Sequence, residues 1–174
     1  MPWPLNDSCS FQSILDWLPP DLRPTLEREW QALGIDTRRM LPGYPVAVWW
    51  RAVEATTALL EGSRRERLRD LGRGLAEHYA RSVMGRALAP FARLIGTRRT
   101  LMRSAVFRSA NNFVETVVEH DVPGELRLRV NDVSPISDMF AGSLEGLVTF
   151  TGGRDPQVEY IEGTTETVYT VRWS

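Results

Sequence analysis

The sequence predicts an α+β domain: an N-terminal helical layer followed by a β-β-α-β-β unit with an antiparallel sheet. Three observations carry this. Apolar residues recur at three- and four-residue spacing between about residues 21 and 108. The period falls to two after Asn111-Asn112. Gly, Pro and Asp punctuation then divides the remainder into two hairpins around one helix. Residues 1–20 read as an N-terminal arm and 21–174 as a single domain, with a helical layer at 21–108 and a sheet layer at 112–174.

In the arm, Trp3, Trp17 and Pro19-Pro20 punctuate a short amphipathic stretch with Phe11, Ile14, Leu15 and Leu18. Residues 21–33 predict a helix capped by Asp21, with Leu22, Leu26, Trp30 and Leu33 on one face and Gly34 at its end. Tyr44-Pro45 opens the next, in which Val46, Trp49, Val53, Thr56 and Leu60 share a face until Gly62. Ser63 and Glu66 form a capping box. The helix behind it carries Leu68, Leu71, Leu75, Tyr79, Val83 and Ala87 on one stripe. Pro90 is expected to kink or break it, with Phe91 and Leu94 continuing to Gly96. Thr97 to about Phe107 reads as a last, basic helix around Leu101 and Ala105.

Val114, Thr116 and Val118 alternate with Glu115, Val117 and Glu119. After the turn Asp121-Val122-Pro123-Gly124, Leu126, Leu128 and Val130 alternate with Glu125, Arg127 and Arg129. Ser134-Pro135 predicts a helix start, with Ile136, Phe140, Leu144, Leu147 and Val148 inside and Gly152-Gly153 at the end. Val158–Ile161, a turn at Glu162-Gly163-Thr164, and Thr167–Trp173 complete the second hairpin.

All 21 basic residues are arginine. Residues 38–108 hold 15 arginines against 5 acids, residues 1–37 hold 2 against 6, and residues 109–174 hold 4 against 11. The absence of lysine excludes Schiff-base catalysis, a lysine-imine cofactor and the lysine of a phosphate-binding P-loop. A helical layer and a sheet layer of opposite charge are expected to pair. The single Cys9 forms no internal disulfide, and no apolar run reaches a bilayer-spanning length, so cytoplasmic residence is expected. His78 and His120 fall in different elements without ligand spacing, so no metal is expected. There is no nucleophile elbow. Gly72-Arg73-Gly74 lies mid-helix and is not a dinucleotide fingerprint. Gly142 and Gly146 are expected to let their helix pack closely on the sheet, helix–helix association being the alternative.

Several segments in order resemble a large myxobacterial paralogous family of unknown function. They are Leu41-Pro42-Gly43-Tyr44-Pro45, Leu71-Gly72 with Tyr79 and Gly85-Arg86-Ala87-Leu88, Asn111-Asn112, Phe140-Ala141-Gly142-Ser143-Leu144-Glu145-Gly146, and Val171-Arg172-Trp173. The resemblance spans roughly residues 30–174. More distantly, helices before a β-β-α-β-β unit look like the vinyl-reductase-type sensor domains, the small subunits of the transport-particle (TRAPP) tethering complex, and the haem nitric-oxide-binding superfamily. The wider resemblance implies a mostly non-catalytic domain that holds an apolar effector between helices and sheet and often dimerises. The zinc-holding cysteines of the first group and the Tyr-x-Ser-x-Arg signature of the haem binders are absent, so no site residue and no cofactor carries over.

The leading expectation is a non-catalytic cytoplasmic domain that binds an apolar small molecule or a protein partner in signalling, as a homodimer. Its cavity is expected between helices and sheet, lined by Trp49, Val53, Tyr79, Val83, Phe140 and Leu144. Neighbouring Trp49 and Trp50 point about 100° apart on a helix. One should enter the core, and the outer one suits an interface or the mouth of an apolar cavity. The alternative is a basic module in which Arg64, Arg65, Arg67, Arg98, Arg99 and Arg103 form one exposed patch for nucleic acid or lipid headgroups. A hydrolase or reductase would need convergent polar groups in a cleft.

Overall fold

The computed structural model of the chain describes residues 5–103, 114–131 and 135–174. The anticipated α+β arrangement of helices before a β-β-α-β-β unit is present, with an added ribbon at the front. Strand β1 (Leu5–Asp7) pairs antiparallel with β2 (Gly43–Pro45), which the short, Pro-containing sequence did not signal. Asp7 then caps α1 (Ser8–Trp17) by accepting the backbone N–H of Ser10 at 3.2 Å. Its inward face buries Phe11, Ile14 and Leu15.

Helix α2 (Arg23–Ala32) departs from expectation at its start: Leu22, not Asp21, is the cap, and it contributes no side-chain bond. Pro24 sits in the first turn, where its locked φ and missing N–H do no harm. Helix α3 (Val46–Ala58) begins directly after Pro45. Phe11 meets Trp30, Tyr44 and Trp49 at ring-centroid distances of 5.6, 4.8 and 5.0 Å. These residues centre the first core, which also takes in Leu26, Ile35, Val53, Leu68 and Leu71.

Ser63 and Glu66 form the expected capping box of α4 (Arg64–Arg81). The stripe expected to run through to Pro90 stops earlier. Ser82 takes an extended conformation, ends α4 and starts α5 (Val83–Ile95), its Oγ accepting the Gly85 N–H at 3.0 Å. The break falls here because serine offers a capping oxygen and Gly85 lies against the Tyr79 carbonyl, where a Cβ would come within 2.0 Å. Pro90 is accommodated inside α5. Consequently Val83, Phe91 and Leu94 do not continue the inner stripe; all three are exposed. Helix α6 (Thr97–Met102) keeps Leu101 buried. The expected positions of Ala105, Phe107, Arg108, Asn111, Asn112 and the Ser134 cap lie outside the described residues.

Strands β3 (Thr116–Val122) and β4 (Glu125–Val130) form the first hairpin, turning at Gly124 with φ +78° and bulging between Val118 and His120. Helix α7 (Ser137–Phe150) follows a turn at Pro135–Ile136. Strands β5 (Gln157–Glu162) and β6 (Thr167–Arg172) complete an antiparallel sheet of order β3-β4-β6-β5. Leu126, Leu128, Val130, Val158, Tyr169 and Val171 bury its inner face against Leu144 and Val148 in a second core.

Helix α7 is the middle layer, with the sheet on one side and α4 on the other. Here the expected role of the small residues is corrected. Gly142 and Gly146 face α4, not the sheet: a Cβ on Gly142 would stand 2.1 Å from the Arg69 carbonyl oxygen, and one on Gly146 2.4 Å from Ala76 Cβ. Gly72 reciprocates, 2.0 Å from the Met139 carbonyl oxygen. The sheet face needs bulk to fill its core, so the glycines fall on the side where two backbones meet.

Candidate functional site

The adjacent tryptophans of α3 separate as their spacing requires. Trp49 enters the first core, and Trp50, about 100° round the helix, stands half-buried beside an open groove. Ala47, Trp50, Arg51, Glu54 and Ala55 line one wall, Glu29, Ala32 and Leu33 of α2 and its end the other, and Pro135 closes it. The groove measures ≈ 710 Å³. It exists because three positions around a large indole carry only a methyl group. The indole N–H of Trp50 is buried without a protein acceptor among the described residues.

The rim is charged and partly tied down. Arg64 pairs with Glu54 and donates to the Pro135 carbonyl oxygen at 2.6 Å, so one guanidinium joins α3, α4 and the turn before α7 at the groove edge. Arg67 donates to the Thr57 carbonyl oxygen at 3.0 Å and braces the end of α3. A second hollow of ≈ 360 Å³ lies among α4, α5 and α7, where Arg73 and Glu145 already pair at 2.8 Å.

The two hollows found among the described residues are not lined by the six residues expected to form an interlayer cavity. Trp49, which meets Phe11 of α1, and Val53 are buried in the first core, and Leu144 is buried in the second. Phe140 packs on Tyr169 at 4.9 Å, Tyr79 meets Phe150 edge-on at 6.0 Å, and Val83 is exposed. The glycine contacts of Gly72, Gly142 and Gly146 draw α4 and α7 together at their seam. The lining of the groove beneath Trp50 was missed, apart from the reading of the outer tryptophan as a cavity mouth. The available signal was the spacing of Ala47, Trp50, Arg51, Glu54 and Ala55 on one face of α3.

The six anionic-partner arginines do not act as one set. Arg64 and Arg67 hold the fold as above, Arg65 approaches Asp138 at 3.4 Å, and Arg98 grips Asp121 with two bonds of 2.6 Å. Arg99 and Arg103 are exposed. The opposite charges of the two sequence halves do meet inside the molecule. Arg69 donates to Glu145 at 2.6 Å and to the Val158 carbonyl oxygen at 2.8 Å, linking α4, α7 and β5. Arg172 and Arg98 hold Glu125 and Asp121, respectively, below their ordinary carboxylate values through hydrogen bonds. Burial raises the Tyr160 phenol, and neighbouring Asp138 adds to the shift.

Solved structures of H-NOX domains share this fold. A single-residue variant of Tt H-NOX superposes with TM-score 0.70 at 12% identity, over 97% of this chain and 95% of that one. An oxygen-binding H-NOX domain related to soluble guanylate cyclases gives 0.65 at 12%, also over 97% and 95%. The unliganded Fe(II) H-NOX protein of K. algicida gives 0.64 at 11%, over 97% and 96%. The fold is therefore that of the H-NOX domains. The chain belongs to the DUF2378 family of proteins of unknown function, whose pattern matches residues 7–174. No curated protein matches it.

Haem, the group that fold implies, does not fit the residues present. Both histidines and the one cysteine are among the described residues. His78 is half-buried 3.7 Å from Asp16, His120 is exposed on β3, Cys9 is exposed on α1, and none lines either hollow. Haem iron takes an axial His, Cys, Met or Tyr facing an apolar slot, and no Met or Tyr lines either hollow. Among the described residues, no group of three His, Cys, Asp or Glu is placed to hold a metal ion.

Proposed function

We propose that this chain is a non-catalytic ligand-binding domain of a signalling system, and that its ligand is a small apolar molecule seated beneath Trp50. The groove carries the reading. An aromatic wall, three alanines and a proline supply apolar contact, while Arg51 and Glu29 at the rim supply orientation. Arg64 gives occupancy a route into the fold, because the residue that borders the groove through Glu54 and Pro135 also opens the helix packed on α7. The H-NOX-like architecture supports a sensing role by analogy of fold. The exposed free thiol of Cys9 fits a reducing compartment, and cytoplasmic residence belongs to the same reading.

Titration with anilinonaphthalene sulfonate tests it. Wild-type protein should enhance the dye emission and show quenching of Trp50. Trp50→Ala should weaken the fitted affinity roughly tenfold, as loss of an aromatic anchor does. Ala47→Trp, at an exposed position of the wall, fills the groove without touching the core and should do the same. Equal affinity in all three proteins would remove the groove as the site.

A further inference from the structure

We propose that α5 is an interfacial helix that lays this domain on an anionic membrane surface. The helix packs the wrong way round for an ordinary surface helix. Gly85 and Ala92 are its buried residues, whereas Val83, Phe91 and Leu94 are 78, 63 and 84% exposed. Met84 and Leu88 are also exposed, and all five fall within one arc of a 3.6-residue helix. Large apolar side chains thus face outward while small ones make the contact with the domain.

The charge around this face selects its occupant. Residues 78–114 contain seven arginines and no acid, leaving a net −8 for the remainder of a chain whose total is −1. Arg86 and Arg93, two turns apart on one side of α5, are exposed, as are Arg99 and Arg103 just beyond it. A second copy docked antiparallel on α5 through a two-fold axis would set the Arg86–Arg93 edge of one helix along the same edge of the other, so like charges would meet. An anionic bilayer supplies both what the apolar arc and what the arginines need: an acyl region for Phe91 and Leu94 and phosphate or carboxylate headgroups for the guanidiniums. No described helix is long and apolar enough to cross a membrane, so the attachment is one of surface insertion. The acidic remainder of the domain would be turned away from the membrane.

Co-sedimentation with vesicles tests this. Wild-type protein should pellet with vesicles of equal parts phosphatidylserine and phosphatidylcholine, be released as salt rises, and stay in solution with phosphatidylcholine alone. Phe91→Ser with Leu94→Ser should lower partitioning about tenfold or more by removing inserted apolar area. Arg86→Gln with Arg93→Gln should lower it roughly 25-fold, at about fivefold per arginine. All four side chains are exposed, so unchanged circular dichroism is expected to show that each variant is folded. Failure of the wild type to pellet with anionic vesicles at low salt overturns the proposal, as does pelleting unaffected by the Phe91/Leu94 pair. A wild-type dimer that the same pair converts to a monomer also overturns it, in favour of a self-interface.

Discussion

Glycine decides where this molecule is dense. At Gly72 and Gly142 the two central helices approach so closely that a methyl group would overlap a carbonyl oxygen of the partner backbone. Gly72→Ala is therefore expected to cost about 3 kcal/mol, the upper range for overpacking, because backbone cannot step aside as a side chain can. Gly34 provides the contrast. It has open space around it but a φ of +81°, so Gly34→Ala should cost only about 1 kcal/mol, through conformation alone. Urea midpoints at unchanged slope would separate the two; equal losses would mean that the interhelix contact is slack. Ser63→Ala should cost about 1 kcal/mol, since its hydroxyl and Glu66 satisfy each other's backbone donors. At this scale the capping box was legible from four residues, because its bonds are local. The partners of Gly142 were not, because they lie in a helix some seventy residues earlier.

Between elements, the seam of α4 with α7 is held by charge as well as by shape. Glu145 is nearly buried and accepts from Arg69 at 2.6 Å and Arg73 at 2.8 Å. Glu145→Gln should cost about 3 kcal/mol by leaving Arg69 under-compensated. Arg69→Met in the same background should recover part of that loss, which a double-mutant cycle would measure. The surface pairs respond to pH. Asp121 and Glu125 have folded values lowered by Arg98 and Arg172, so their contribution is full above the ordinary values of 3.8 and 4.5. It is lost as pH falls through the lowered folded values. Stability measured across that acid range should decline less steeply in Asp121→Asn with Glu125→Gln than in the wild type. An unchanged acid limb would show that these pairs contribute nothing. The opposite charge of the two sequence halves was legible in the sequence, and so was the change of period that separates helices from hairpins. The division of α4 from α5 was not. The stripe of Tyr79, Val83 and Ala87 obeys a helical period straight through Ser82, and only tertiary contact at Gly85 shows why the chain breaks there.

For the whole molecule, the two hollows among the described residues of this H-NOX-like fold lie at its surface. Periodicity located the apolar faces but not the surfaces left uncovered, since that depends on which helix lies on which. Thus the six residues expected between the layers are core or surface, and the larger described hollow lies where small residues surround Trp50. The outward arc of α5 was not legible for the same reason: its apolar spacing reads identically whether a helix faces in or out. Native mass spectrometry of freshly purified protein asks whether the groove beneath Trp50 holds a small apolar molecule. The expected result is a stoichiometric small-molecule adduct on the wild type that Ala47→Trp lacks; a bare wild-type mass, or an adduct equally present in the groove-filled variant, would contradict the account.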